Sequence, residues 1–88
     1  MRVLFVCTAN RLRSPTAEDL FRDWPGIEAL SAGTDSQAPV PLTRELVANA
    51  DLIFAMEPHH RERIRKKYKH RPPDNRIIVL HIPDEYER

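Results

Sequence analysis

The chain has 88 residues, of which 41% are hydrophobic and 31% are charged. This balance is typical of one small folded domain over residues 1–88 and argues against a disordered chain. The net charge of +1 excludes a globally basic nucleic-acid-binding protein, and no apolar run is long enough to cross a membrane. Because the single cysteine cannot form an internal disulfide, we expect a protein of the reducing cytoplasm.

Apolar runs alternate with helical patterns along the chain. Strands are predicted at residues 2–6, 27–32, 52–56 and 77–80, and helices at residues 15–24, 41–50 and 58–68. In the first helix, an apolar stripe at helical spacing is expected to face the core: Ala17, Leu20, Phe21 and Trp24. Ser14 suits the N-cap of that helix, and Pro15 suits its first position. The element order predicts an α/β protein whose mostly parallel sheet binds ligands beyond the carboxyl ends of its strands.

The stretch from Cys7 to Ser14 lies between the first strand and the first helix. Successive N–H groups of a tight loop form an anion-binding concavity, and the helix N-terminus adds unpaired donors. Both features favour the thiolate of Cys7, which is the nucleophilic form. Arg13 closes the loop, and its planar guanidinium can hold two phosphate oxygens at once. An inert buried cysteine is the alternative, but it leaves Arg13 unexplained.

On these residues the sequence resembles the low-molecular-weight protein tyrosine phosphatases. The resemblance extends over most of the chain: residues 3–7, Asn10, Arg13, Ser14, Pro15, Ala17, Glu18, and residues 31–34, 50–53, 56 and 82–84. It implies an α/β three-layer sandwich with a four-stranded parallel sheet in the flavodoxin-like order 2-1-3-4.

The resemblance also implies a mechanism. Cys7 attacks phosphorus to form a cysteinyl-phosphate, while Asp84 protonates the leaving phenolate and then activates water. The phosphate-binding loop comprises Thr8, Ala9, Asn10, Arg11, Leu12, Arg13 and Ser14. Support for the loop is expected from Asn10, Ser14 and Ser31.

The implied substrate is a phosphotyrosine-containing protein or a small aryl phosphate, with inorganic phosphate as product and inhibitor. No metal or cofactor is required. A membrane is not an expected partner, and nucleic acid is a less favoured one.

Two loop positions depart from the family pattern. Leu12 replaces a second cysteine that many members carry, so oxidised Cys7 is expected to be harder to restore internally. Arg11 occupies a pocket-wall position that is usually apolar or small in the family. Its charge favours an anionic substrate and disfavours a cationic phosphoarginine group.

The C-terminal motif also departs from the pattern. Glu85 follows Asp84 where the family usually has proline, and we assign the acid to Asp84 because Ile82-Pro83 sets its register. Tyr86 either flanks the substrate ring or is an exposed end residue.

Two lengths are shorter than in the family. The connection between Thr34 and Asp51 is short, and the chain ends at Arg88 without the family's C-terminal helix. Right-handed crossovers in the order 2-1-3-4 place the first helix alone on one face of the sheet. One helix cannot cover four strands, so an apolar side of the third and fourth strands is expected to be open. We expect a segment beyond Arg88 to cover it, with a homodimer as the alternative.

Residues 57–76 carry eight Lys or Arg and three Asp or Glu. We interpret this segment as a solvated helix face, with a surface for nucleic acid or an acidic partner as the alternative. Tyr68 is the only aromatic residue in the segment, which disfavours base stacking. The four histidines are interpreted as surface residues. Two other functions remain open: a phosphatase for another phosphoester, and a phosphate- or phosphoprotein-binding module without turnover.

Overall fold

The computed structural model describes residues 1–8 and 13–82, apart from the side chains of residues 13–15. The strands are β1 (Arg2–Cys7), β2 (Glu28–Gly33), β3 (Leu52–Ala55) and β4 (Ile77–Val79). The helices are α1 (Arg13–Phe21), α2 (Arg44–Asn49) and α3 (Pro58–Lys67), and a short 3₁₀ turn (Asp74–Arg76) precedes β4.

The four strands form one parallel sheet in the order β2-β1-β3-β4. The predicted α/β architecture and strand order are therefore confirmed. The central strand β1 is apolar throughout, and its residues Val3 to Cys7 are all buried. A strand that is covered on both faces reads as a continuous apolar run instead of an alternating one.

The helices are divided between the two faces of the sheet. Leu4 and Val6 of β1 point toward a core that contains Val47 of α2 and Ile64 of α3. The alternate residues of β1, including Phe5, point toward the opposite core, where α1 packs. The predicted placement of α1 alone on one face is confirmed.

Helix α1 differs from the predicted helix at both ends. It begins at Arg13, so Ser14 lies within the first turn and is not the N-cap. Pro15 is tolerated there because the first N–H groups of a helix have no intrahelical acceptor. The helix ends at Phe21, three residues earlier than predicted.

Two of the four residues of the predicted core stripe are exposed. Ala17 and Phe21 pack against the sheet, and the ring of Phe21 stacks on Phe5 with centroids 5.7 Å apart. Leu20 is 69% exposed and Trp24 is 57% exposed, so their predicted core positions are wrong. Beyond Phe21 the chain turns at Gly26, whose φ of 78° lies in the left-handed region that glycine adopts readily.

Helices α2 and α3 both begin with identifiable local signals. The Thr43 side chain accepts the N–H of Leu46 at 3.2 Å and caps α2, which starts three residues later than predicted. Pro58 occupies the first turn of α3, where its missing N–H costs nothing. Leu42 and Leu46 both pack against the core on this face of the sheet.

The face that α1 covers is less completely closed than the other. Phe54 of β3 stacks on Phe5 with centroids 5.5 Å apart, yet it is only half-buried. Its neighbour on β4, Ile78, is 41% exposed. As expected for a single helix, α1 does not extend over β4. That a further segment or a second subunit covers this side of the sheet remains a prediction.

Candidate active site

The carboxyl ends of β1 and β3 meet at the point where the strand order reverses. From β1 the chain crosses to β2 on one side, and from β2 it crosses to β3 on the other side. A crevice forms at such a position because the two connections leave in opposite directions. Cys7 and Thr8 end β1 there, and Met56 and Glu57 follow β3.

Cys7 lies at the last position of β1, is fully buried and is not part of a disulfide. Its side chain belongs to the core on the α1 side of the sheet, together with Val3, Phe5 and Met56. Helix α1 begins at Arg13, only six residues later, and packs on that same face. Sequence and topology therefore place the thiol and the positive end of a helix on one side of the sheet.

Main-chain hydrogen bonds hold the end of β1 from both sides. The Cys7 carbonyl accepts the N–H of Thr34 at 2.9 Å, and the Thr8 carbonyl accepts the N–H of Asp35 at 3.0 Å. On the other side, the Val6 carbonyl accepts the N–H of Met56 at 2.9 Å. The backbone at Cys7 is thus fixed by both neighbouring connections, which limits the positions open to the thiol.

A buried histidine, His60, forms a hydrogen bond with Thr8, the residue that follows Cys7. His60 is fully buried, and its Nε2 lies 2.9 Å from Thr8 Oγ1. The backbone N–H of Glu57 donates to His60 Nδ1 at 3.0 Å. Because Nδ1 accepts, the ring proton belongs on Nε2, which therefore donates to the Thr8 hydroxyl. The proton of that hydroxyl is then directed to another acceptor.

The sequence-based interpretation of His60 as a surface residue is wrong. A signal for its position was present, since α3 starts directly after β3, which lies beside β1 in the sheet. The first turn of α3 must therefore approach the end of β1. His60 occupies the third position of that turn and points inward.

Ser31 lies on β2, at the same end of the sheet. Its hydroxyl donates to Glu18 Oε1 at 2.5 Å, which joins β2 to the middle of α1. Ser31 is nearly buried, so this hydrogen bond is shielded from water. Residues 9–12 of the loop that Ser31 is expected to support lie outside the described residues.

Several predicted site residues also lie outside the described part of the structure. They are Ala9, Asn10, Arg11, Leu12, Asp84, Glu85 and Tyr86, and the side chains of Arg13 and Ser14. The described structure pairs Cys7 with Gly33 of β2, two residues beyond the pairing of Phe5 with Ser31, and Thr8 follows Cys7.

The segment after β4 returns to the same edge of the sheet. The N–H of Ile82 donates to the Met56 carbonyl at 2.7 Å, and the Ile82 side chain packs in the core that contains Cys7. His81 makes the necessary turn with a φ of 59°, a conformation that histidine adopts more readily than most residues. Ile82, two residues before Asp84 in the sequence, is thereby held in the same core as Cys7.

Among the described residues, Glu57, His59 and His60 bring potential metal-ligand atoms within 4.8 Å of one another. His60 is poorly suited to complete a metal site, because Nδ1 accepts the Glu57 N–H and Nε2 carries the proton shared with Thr8. The remaining pair, Glu57 and His59, form a hydrogen bond of 3.3 Å with each other. This cluster is better described as a hydrogen-bonded support for the end of β1.

None of the helices within residues 1–8 and 13–82 is long and apolar enough to cross a membrane.

Residues 2–39 match the model of the family described as low molecular weight phosphotyrosine protein phosphatase. These residues include Cys7 and the start of α1, which are the features described above.

Individual relatives agree with this match. The chain is 30% identical, over 95 aligned residues, to a protein-arginine-phosphatase from Bacillus subtilis, and the alignment covers 77% of this chain and 63% of that protein. The chain thus spans less than two thirds of the length of this curated relative.

Solved structures show the same similarity. The crystal structure of a mutant of YwlE from Bacillus subtilis is 31% identical, with a TM-score of 0.74 over 98% of this chain and 73% of that one. A low molecular weight protein tyrosine phosphatase from T. tengcongensis is 27% identical, with a TM-score of 0.76 over 98% and 86% of the two chains. The family match, the identity to these relatives and the shared fold together show that the chain belongs to the low-molecular-weight protein tyrosine phosphatase family.

Proposed function

We propose that this protein is a phosphatase that hydrolyses phosphotyrosine, or another aryl phosphate monoester, through a cysteinyl-phosphate intermediate. The observation that carries the proposal is the position of Cys7. Its thiol lies at the carboxyl end of the central strand, at the reversal of strand order, on the face that α1 covers. A helix N-terminus favours a bound phosphate, and this supports a phosphate site near the thiol.

The proposed reaction has two steps. The Cys7 thiolate attacks phosphorus, the bond from phosphorus to the phenolic oxygen breaks, and Asp84 gives its proton to the leaving oxygen. Water then attacks the phosphocysteine, Asp84 takes a proton from that water, and inorganic phosphate and the free thiolate are released. Both steps need no metal and no redox change.

The remaining loop residues have binding and supporting roles in this proposal. Arg13 and the loop N–H groups bind the equatorial oxygens, whose charge grows in the transition state. Asn10, Ser14 and Ser31 hold the loop, and Tyr86 flanks the aromatic ring of the substrate. The Thr8 hydroxyl, with its oxygen fixed by His60, directs its proton toward the phosphate.

Two substrate classes are favoured by different observations. The family description names phosphotyrosine, whereas the Bacillus subtilis relative is a protein-arginine-phosphatase. We favour phosphotyrosine because Arg11 adds a positive charge to the loop, and that charge repels the guanidinium group of phosphoarginine. We retain the cytoplasm as the predicted compartment, since the one cysteine has a chemical role that oxidation would abolish.

The first experiment compares hydrolysis of p-nitrophenyl phosphate by the wild type and by Cys7→Ser. We expect steady turnover by the wild type, inhibition by inorganic phosphate, and loss of turnover in the variant with an unchanged circular dichroism spectrum. Phosphate binding without turnover by the wild type would instead identify a binding module.

The second experiment addresses the substrate class. Two peptides that carry phosphotyrosine or phosphoarginine at the same position are compared with the wild type and Arg11→Gln. We expect the wild type to prefer phosphotyrosine, and the variant to gain relative activity on phosphoarginine. A wild-type preference for phosphoarginine would contradict the substrate assignment and leave the role of Cys7 intact.

A further inference from the structure

A groove extends from the residue after the nucleophile along one face of α3. It consists of two adjoining cavities of about 430 and 620 Å³, which share three lining residues, His59, Arg63 and Lys67. The inner cavity also includes Thr8 and Thr34, which lie at the carboxyl ends of β1 and β2. The outer cavity continues along the helix, past Lys66.

The three shared residues form a regular stripe. Their spacing of four residues places them on one face of the helix, one turn apart. From His59 to Lys67 the stripe is about 12 Å long, since a helix rises about 1.5 Å per residue. This length corresponds to about four residues of an extended peptide, at about 3.3 Å each.

The positive charges of the groove are not neutralised within the described structure. No carboxylate of the described residues lies within 4.0 Å of Arg63, Lys66 or Lys67. The carboxylate of Glu62, which also lines the outer cavity, is paired with Arg61 at 3.5 Å and with Arg65 at 3.2 Å. Arg63 and Lys67 are both exposed and therefore available to a ligand in the groove.

We propose that this groove binds acidic residues that flank the phosphorylated residue of a protein substrate. The inference rests on the proposed phosphatase function, because the substrate phosphate must sit at Cys7, beside the inner end of the groove. From that point an extended peptide chain follows the stripe, so the preferred carboxylates lie within about four residues of the phosphorylated position. The cations of the stripe attract the phosphate and the carboxylates of such a substrate. The carboxylate that lines the inner cavity, Asp35, accepts the backbone N–H of Gln37 at 2.9 Å.

The alternatives account less well for the same residues. A simple solvated helix face does not explain why the unpaired cations line a concave surface that contains Thr8. A surface for single-stranded nucleic acid typically combines positive charge with exposed aromatic rings on which bases stack. The aromatic residue of this segment, Tyr68, is buried and donates its hydroxyl proton to the Leu42 carbonyl at 3.2 Å.

The test uses two phosphotyrosyl peptides of equal length. One carries Asp and Glu at four flanking positions, and the other carries Asn and Gln at the same positions. We expect the wild type to show a kcat/KM roughly fivefold higher for the acidic peptide, which is the size expected of two exposed ion pairs. The ratio should fall toward one at high salt, because exposed charges are screened.

Matched variants locate the effect. In Arg63→Gln/Lys67→Gln the ratio of the two peptides is expected to fall to about one. Lys69→Gln/Arg76→Gln removes the same two charges at exposed positions that do not line either cavity, and should keep the wild-type ratio. A wild-type ratio near one, or an equal fall in both double variants, would overturn the proposal.

Two further measurements distinguish failure of the proposed phosphatase function from failure of the groove proposal. If p-nitrophenyl phosphate is not hydrolysed, the proposed function fails, and the groove is then tested by fluorescence anisotropy with the same two peptides. Tighter binding of the acidic peptide by the wild type but not by Arg63→Gln/Lys67→Gln would still support the groove. A single-stranded oligonucleotide that competes more strongly than polyglutamate of equal charge would assign the surface to nucleic acid and overturn the inference.

Discussion

The amino ends of the strands form one border of the sheet, the amino edge, and their carboxyl ends form the other, the carboxyl edge. The two contain polar groups of different character. At the amino edge, the Arg2 guanidinium and the Glu28 carboxylate are 3.2 Å apart, with exposed fractions of 39% and 58%. The backbone N–H of Arg2 also donates to Asp51 Oδ2 at 2.7 Å in an exposed position. At the carboxyl edge, Cys7 and His60 are fully buried, and each polar group depends on a neighbour for its partner.

This difference explains where chemistry is possible. Water can replace any lost partner at the amino edge, so its ion pairs add little stability. A buried group at the carboxyl edge has no such substitute, and its loss leaves the partner unsatisfied. Groups held in this way keep a fixed position, which is what a reacting phosphate requires.

The largest expected effect is that of Arg13→Lys. The variant keeps the charge but loses the planar fork that holds two phosphate oxygens. We expect kcat/KM for p-nitrophenyl phosphate to fall by about 10²–10³-fold, as for loss of a transition-state donor. The matched amino-edge variant Arg2→Lys should keep wild-type activity, and equal losses in both would contradict the distinction between the edges.

Asp84→Ala is expected to slow the hydrolysis of substrates with poor leaving groups more than that of activated substrates. A proton is needed only when the leaving group is a poor one, so phenyl phosphate should be hydrolysed at least ~10²-fold more slowly. Cleavage of the activated substrate p-nitrophenyl phosphate should be affected much less in its first step. If both substrates slow by the same factor, Asp84 is not the acid, and Glu85→Ala is the variant to compare next.

His60→Ala is expected to reduce stability as well as activity. It leaves the Glu57 N–H and the Thr8 hydroxyl without their histidine partner, at a cost of about 2–3 kcal/mol in urea unfolding. His60→Gln should recover part of this loss and part of kcat, because its side-chain amide can still donate to Thr8. The exposed His70→Ala should change the unfolding free energy by less than about 0.5 kcal/mol. A similar small change for His60→Ala would show that its hydrogen bonds contribute little.

The smallest expected effect is at the amino edge. Glu28→Gln breaks the ion pair with Arg2, and we expect a loss of less than about 1 kcal/mol, decreasing further in high salt. Activity on p-nitrophenyl phosphate should be unchanged. A loss of activity would mean that the two edges are coupled through β1 or β2.

Much of this architecture could be predicted from local sequence patterns. The apolar run before Cys7 and the helical pattern after Arg13 were enough to predict β1 and α1. The end of α1 was not predictable in the same way, because Trp24 continues the helical spacing although the helix ends at Phe21.

The carboxyl-edge support and the groove depend on tertiary contacts. The burial of His60 results from the approach of α3 to the end of β1, which no spacing within residues 58–68 reveals. Arg63 and Lys67 were predicted as a solvated face because their charge alone does not show which cavity they line. Strand order, once known, provides this information, since it places the start of α3 beside Thr8.

The central claim is that phosphate is transferred to Cys7 at the carboxyl edge. The most direct measurement is rapid acid quenching of Asp84→Ala during reaction with p-nitrophenyl phosphate, followed by peptide mass spectrometry. In this variant the intermediate should accumulate, because formation needs no acid but hydrolysis lacks its base. The account predicts one phosphoryl group on the peptide that contains Cys7, and none in Cys7→Ala/Asp84→Ala. Turnover by the double variant, or a phosphoryl group on another residue such as His60, would contradict it.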